Sequence, residues 1–369
     1  MSLLPISQSR ITPAQWAGVI QSEYLAEYVR GGGSAVKVLS GTSDTLHSAW
    51  GQVSAEAESG SYFVAALDPS ALDGAGKKRD LHRIDRFFFA VTERVPWKAW
   101  AAEQAKRYLT DHGIRFAGRD LDDLDGIAAD NGRDPVDLLN QYQREFATPL
   151  LKDPTLCLEF RTALKHLGLA QLVPQSFSPS SEEVLLAWLA GRTLPGAANA
   201  LKQMQIYERI TQANARPMLA SFCRWLPKVG FAGLVVLLDF RPYEHKKIPK
   251  TQREALINKR VREALAAGAS AEELSRIVGA ADSDPDVTYS DAAYMQMLTL
   301  IRRFIDEVDW LERFLLVIET TPRFYDSLSR RNYFNYDALQ TRIGLEVHDQ
   351  QKANPAASLV HLGNENTGD

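Results

Sequence analysis

Apolar and aromatic residues recur at Trp16, Ile20, Tyr24, Leu25 and Tyr28, close to helical spacing, and predict a helix over Thr12 to Val29. Gly31, Gly32 and Gly33 break it. The apolar run from Ala35 to Leu39 then reads as a strand, Ser40 to Asp44 as a polar turn, and Leu46, Trp50 and Val53 as one face of a second helix. A second strand follows over Tyr62 to Asp68. Strand, helix and strand in this order predict a βαβ unit in a parallel sheet.

The pattern changes from about Leu81 to Ala213, where helical spacing dominates. His82 to Glu93 places Ile84, Phe87, Phe88 and Val91 on one side, and Pro96 limits that helix. Further helices are expected over Val136 to Phe146, Thr155 to His166 and Ser181 to Ala190. The sheet returns at Gly233 to Asp239 and again at Phe314 to Ile318, both continuous apolar runs of the kind buried on two faces. A long helix from about Asp291 to Val308 lies between them. The expected fold class is α/β, an AAA-like P-loop NTPase core with a parallel sheet and a large helical insertion. The expected organisation is an N-terminal helical segment (1–30), the first part of the core (31–95), the insertion (96–213), the second part of the core (214–347) and a polar, loosely held tail (348–369).

Composition narrows the function classes. The 369 residues are 45% hydrophobic and 24% charged, with a formal net charge of -4, so a nucleic-acid role would need a local basic patch. The two cysteines, Cys157 and Cys223, have neither disulfide-framework nor zinc spacing. Met1 to Arg10 lacks the apolar run of a signal peptide, and no apolar stretch reaches the ~18 residues of a membrane span. The expectation is a cytoplasmic protein without a membrane segment.

Two places invite chemistry. The phosphate-binding loop G-x-x-x-x-G-K-[ST] follows a strand and opens a helix. Here Gly41 takes the first glycine position and Ser48 the last, but Leu46 stands at the second glycine and His47 at the lysine. Leu46 puts a branched side chain where backbone N–H groups would turn around phosphates. His47 lacks the fixed positive charge of lysine, and Asp44 adds a negative charge. The second place is Asp239, which ends an apolar strand as a Mg²⁺-holding acid would. Phe240 follows it where many ATPases carry a water-orienting Glu. Glu244 is close in sequence, but Pro242 argues against its taking that role. Asp239 also suits a helix N-cap or a surface charge.

The phrases Tyr28 to Leu39, Val229 to Asp239 and Glu319 to Ile343 resemble the BREX-type ATP-binding proteins, AAA-like P-loop proteins of bacterial antiphage defence clusters. In intact members the loop reads like GSGKS and the second strand ends in acids such as DE, and this chain departs at both. The resemblance implies a sensor position at Thr320 and Thr321, against the alternative of a cap before Pro322. It also implies a phosphate or subunit-interface role for Arg342, against that of a solvated arginine. The expectation is therefore a pseudo-ATPase with weak or absent ATP–Mg²⁺ binding and no bound metal. It would act by binding partner proteins such as a helicase, with oligomerisation left open. The rival readings are an active or composite-site ATPase and a DNA-binding component of the same system. The DNA reading draws on Lys246, Lys247, Lys250, Arg253, Lys259, Arg260 and Arg262, a basic stretch suited to weak, non-specific phosphate contacts. Glu254 and Glu263 dilute it, as on a solvated helix face.

Overall fold

A computed structural model describes residues 11–71, 79–173, 179–245, 258–259, 261–263, 265–266, 289–325, 331–333, 336–344 and 354–363. Five strands form one sheet: β1 (Ser34–Ser40), β2 (Phe63–Leu67), β3 (Leu234–Asp239), β4 (Phe314–Thr320) and β5 (Leu359–His361). Their order is β2-β3-β4-β1-β5, and every pairing is parallel. The expected α/β core with its parallel sheet is thus present. β3 and β4 are buried almost throughout because both faces of the sheet are covered, which explains why their sequences run apolar without alternation.

One face is covered by three elements: α1 (Pro13–Val19), a π-helix over Ile20–Tyr28, and α2 (Ser43–Ser59). Leu46, Ala49 and Val53 of α2 join Leu39, Val235, Leu237, Leu315 and Val317 in that core. The expected single helix over Thr12 to Val29 is therefore an α-helix that widens at Ile20. Thr12 caps its start in a reciprocal capping box with Gln15.

The other face carries the larger core. Here α3 (Ile84–Thr92), α4 (Trp97–Asp111), α8 (Leu158–Leu172), α11 (Ala215–Trp225) and α13 (Asp291–Asp306) meet Val38, Val236, Leu238, Leu316 and Ile318. Its centre is aromatic: Trp97 stacks on Trp225 with ring centroids 5.6 Å apart, and Phe160 and Phe222 close around them. Between α4 and α8 run α5 (Leu124–Asp130), α6 (Pro135–Tyr142) and α7 (Thr148–Lys152). With α4 and α8, α5 and α6 build a separate small core around Ile127, Leu138 and Tyr142, while Leu150 of α7 joins the larger one. The helices α9 (Pro179–Leu189) and α10 (Ala197–Gln203) complete the stretch before α11. No strand occurs among the described residues from 81 to 213.

The expectation of a loosely held tail needs correction for residues 354–363. β5 pairs with Val38 to Ser40, Leu362 N–H donates to the Ser40 carbonyl at 2.8 Å, and Gly363 N–H donates to Ile11 at 2.9 Å. The anchor is Lys37, polar in an otherwise apolar strand. Its ammonium donates to the Tyr24 hydroxyl (2.5 Å) and to the carbonyls of Ala356 (2.6 Å) and Ala357 (3.3 Å). Burial lowers its pKa to about 8. A three-residue strand gives no periodic signal, and its stability comes from these distant partners.

Candidate functional site

In an open α/β sheet, ligands bind beyond the carboxyl ends of strands, where neighbouring strands send their connections to opposite faces. β1 and β4 meet that condition. The helix after β1, α2, lies on one face, and α14 (Asp337–Gly344) contributes Leu339 and Ile343 to the core on the other. Ser40 and Gly41 from β1, Asp239 from β3, and Glu319, Thr320 and Thr321 from β4 all come to this edge.

The phosphate loop does not take the shape its letters suggest. Only Gly41 and Thr42 separate β1 from α2, because Thr42 caps the helix and Ser43 begins it. The Thr42 side chain accepts from Thr45 N–H, and Thr42 carbonyl accepts from Leu46 N–H at 3.0 Å. The N–H of Leu46, which would face a phosphate in a true loop, is thus spent inside the helix. Leu46 is fully buried against the sheet, while Asp44 and His47 are exposed and Ser48 accepts from Gln52 at 3.1 Å. Asp44 sits in the first helical turn, where a negative charge suits the helix dipole. Gly41 has its own reason to be glycine: a Cβ there would lie 2.5 Å from Thr45 Oγ1.

The crevice between β1 and β4 is laced shut by the chain's own groups. Thr320 is buried and donates its hydroxyl to the Leu39 carbonyl at 2.7 Å, and its carbonyl accepts from Gly41 N–H at 3.4 Å. Thr321 caps the short turn over Pro322–Tyr325 by accepting from Arg323 N–H at 3.2 Å. Thr321 thus has a cap's partner, whereas the Thr320 hydroxyl is taken by the neighbouring strand β1. Arg342 is not at this edge. It pairs with Asp306, donates to Ala338 carbonyl at 2.8 Å, and lines a cleft of about 500 Å³ beside Ser34 to Val38, toward the far end of β1.

Asp239 and Phe240 are brought together with groups that the motif comparison passed over. Asp239 receives three donors from Arg241: backbone N–H (3.0 Å), Nε (2.8 Å) and Nη2 (2.8 Å). Hydrogen bonds to Asp239 raise the Arg241 pKa further, so the guanidinium stays charged. Its Nη2 also lies 3.8 Å from Glu319 Oε2. Glu319 is 3% exposed, and its Oε1 has no hydrogen-bond partner among the described residues. Phe240 is fully buried, stacked on Tyr243 and edge-on to Phe324, which fixes it as a core residue.

Glu244 is held at the end of β4. The chain turns through α12 (Arg241–Glu244), with Pro242 near the helix start, and this turn brings the Glu244 carboxylate back to β4. It accepts from Thr321 N–H at 2.8 Å and from the Thr321 hydroxyl. The signal for Glu319 was present in the sequence, since it ends an apolar run just as Asp239 does. Nothing in the sequence announced the Arg241 or Glu244 contacts.

Burial raises the pKa of both Glu244 and Glu319 from 4.5 to about 8, overcoming the Thr321 hydrogen bonds at one and the Arg241 charge at the other. The folded state therefore keeps protons that the unfolded chain releases above about pH 4.5. Their contribution to stability is fully present below that pH and is lost as pH rises toward and through 8. The urea midpoint should fall steadily between pH 5 and pH 9, and Glu319→Gln should flatten the fall. A midpoint independent of pH over that range would contradict the buried, protonated state of these carboxyls.

These contacts do not fit a Mg²⁺–nucleotide site. The carboxylate that would hold the ion is saturated by an arginine, and the loop that would hold phosphate is a capped helix start. Among the described residues no group of three or more His, Cys, Asp or Glu side chains is arranged to hold a metal, and no helix is long and apolar enough to cross a membrane. In the basic stretch, Lys246, Lys247, Lys250, Arg253 and Arg260 lie outside the described residues. Lys259 and Arg262 are exposed, and Lys259 Nζ lies 3.8 Å from Glu263.

No curated protein and no solved structure matches the chain. A family model described as BREX system ATP-binding protein BrxC/D matches residues 175–264, a segment that includes α11, β3 and α12 with Asp239, Phe240, Arg241 and Glu244. The resemblance carried by Val229 to Asp239 therefore holds, and over residues 175–264 this chain is similar to the BREX system ATP-binding proteins.

Proposed function

We propose that this chain is a non-hydrolysing P-loop-fold subunit of a BREX antiphage defence system, acting by binding partner proteins, a helicase among them. The observation that carries the reading is the start of α2. Thr42 caps the helix after a two-residue turn, and the Leu46 N–H and side chain are both committed to the fold. The family match supplies the setting, since proteins of a multi-component defence system work in contact with others. A fold outlives its chemistry when the surfaces it presents are still used.

Isothermal titration of the purified chain with ATP–Mg²⁺ tests the nucleotide half of this reading. The expected result is no saturable heat. A one-to-one isotherm with Kd near about 1 µM, worth roughly −8 kcal/mol, would overturn it. Co-purification with each protein encoded beside this chain, the helicase first, tests the partner half.

Glu244 favours one second reading, a composite-site ATPase completed by a neighbouring subunit. A buried carboxyl whose pKa is near neutral suits a general base, and it sits at the end of β4. ATP turnover that appears only with the partner helicase and disappears with Glu244→Gln would favour that reading.

A further inference from the structure

The first half of β1 has an open edge. Hydrogen-bond direction alternates along the strand. Gly33 carbonyl accepts from Phe314 N–H (3.3 Å) and Gly41 N–H donates to Thr320 carbonyl (3.4 Å), so odd-numbered residues serve β4. Val38 N–H donates to Ser358 carbonyl and Ser40 carbonyl accepts from Leu362 N–H, both at 2.8 Å, so even-numbered residues serve β5. Ser34 and Val36 continue the even series and turn their N–H and C=O toward the β5 side, but the β5 register stops at Val38. No strand lies beside them there among the described residues. Lys37 explains why. Its ammonium holds the Ala356 and Ala357 carbonyls on the Tyr24 side, and the N–H groups of Ala356 and Ala357 fold back on Asn354 at 3.0 and 3.2 Å. The chain leading into β5 therefore turns off the sheet before Ser358. What remains beside Ser34 to Val38 is the cleft of about 500 Å³, a size that suits a bound ligand.

The walls of the cleft continue the two layers that cover the sheet. On one face stand Tyr24 and Tyr28 of the π-helix; Tyr28 is 51% exposed, and its ring lies across Gly33, where a Cβ would be 2.6 Å from it. On the other face stand Ile305 of α13 and Arg342 and Ile343 of α14. Charge is uneven between them. Arg302 and Arg342 share a single carboxylate, Asp306, which leaves positive charge on the α14 wall. On the π-helix wall the charge of Glu23 acts on Lys37, so that pair is balanced. We propose that this slot binds an extended peptide of a partner protein, added as a strand parallel to β1 in line with β5, with acidic side chains toward Arg342 and apolar ones toward Tyr24 and Tyr28. The ladder groups of Ser34 and Val36 supply donors and acceptors in the alternation that another backbone matches. A strand sends successive side chains to opposite faces, so one peptide reaches both walls at once. The inference rests on the reading that this chain acts by binding partner proteins, and adds the surface used and the chemistry of the bound segment.

Fluorescence anisotropy with a labelled, end-capped hexapeptide of alternating Glu and Val tests the proposal. The wild type should bind it with Kd near about 100 µM. With Val toward the tyrosines, the Val amides face β1, as the Leu362 amide does in β5, and the Glu amides face away. N-methylation at Val should therefore weaken binding at least about tenfold, and N-methylation at Glu should weaken it little. Arg342→Glu should lose the Glu–Val peptide and take up a Lys–Val counterpart. Val36→Pro, which removes an N–H that points only into the slot, should also lose binding; if that variant fails to fold, the two N-methylated peptides decide the matter on the wild type. In the free protein the Val36 amide should exchange with solvent faster than the Leu39 amide, which pairs with β4. The proposal is overturned if the wild type does not bind, if the two N-methylated peptides behave alike, or if Arg342→Glu keeps its preference for acid. Equal protection of Val36 and Leu39 also overturns it, because the chain's own residues or a second copy would then already fill the slot. Any of these failures with a partner still co-purifying removes the slot and leaves the partner reading standing.

Discussion

Rebuilding the phosphate loop by Leu46→Gly with His47→Lys should destabilise the protein severely and should not create an ATPase. Leu46 is fully buried and packs with Ala49 and Val53 of α2 against Leu39, Leu315 and Val317. Removing a buried leucine side chain costs about 2–5 kcal/mol through lost transfer energy and the cavity left behind. Glycine inside a helix adds about 1 kcal/mol relative to alanine. Together these reach a large share of the roughly 5–15 kcal/mol that holds an ordinary domain folded. His47→Lys, on the exposed side of α2, should by itself be nearly neutral. Urea denaturation of the two single variants and the double variant separates these contributions. A double variant as stable as the wild type would mean that α2 does not begin at Ser43. Steady ATP turnover in the double variant would show that the loop reforms and that Glu244 or another group supplies the base.

Restoring a water-orienting acid by Phe240→Glu should be at least as damaging. Phe240 is fully buried: its ring lies 5.7 Å from Tyr243, 5.9 Å from Tyr294 and 5.1 Å from Phe324, measured between centroids. Loss of a buried phenylalanine costs about 3–5 kcal/mol. The new carboxyl would enter an apolar, aromatic cage whose Tyr294 already feels the buried Glu244, so it would have to remain protonated or unfold its surroundings. Phe240→Leu, which keeps an apolar side chain, should cost far less. The expected result is a Phe240→Glu protein that is unfolded or aggregated near pH 7 and partly recovered at pH 5, where the carboxyl is neutral. A well-folded Phe240→Glu variant at pH 7 would place that side chain in solvent and refute the geometry described here.

Both predictions turn on the same point. Letters that align with a motif are held by the fold for other purposes. Leu46, Ala49, Val53 and Ala57 make a seam of helical spacing that is legible in the sequence. That seam, rather than the match to G-x-x-x-x-G-K-[ST], fixes where α2 runs. Thr42 before it is a good N-cap by residue type, so the helix start was also within reach of sequence reasoning. Phe240 likewise continues the apolar character of β3 around the corner into the core.

By itself the sequence determined the parallel core. β3 and β4 are continuous apolar runs because a parallel strand is covered on both faces, and each run ends in an acid where the chain emerges. It also determined β1, α2 and β2 through local periodicity, which needs only neighbours along the chain. Three features came only from the tertiary structure. β5 is three residues long and exists because Lys37 and Val38 to Ser40 hold it from more than 300 positions away. Glu244 reaches Thr321 because α12 folds the chain back across the ends of β3 and β4. Glu319 joins Asp239 and Arg241 through strand pairing, which brings together residues that periodicity cannot connect. Helix and strand formation read out local spacing, whereas the charge balance at this edge depends on which strands lie side by side, and only the packed sheet decides that.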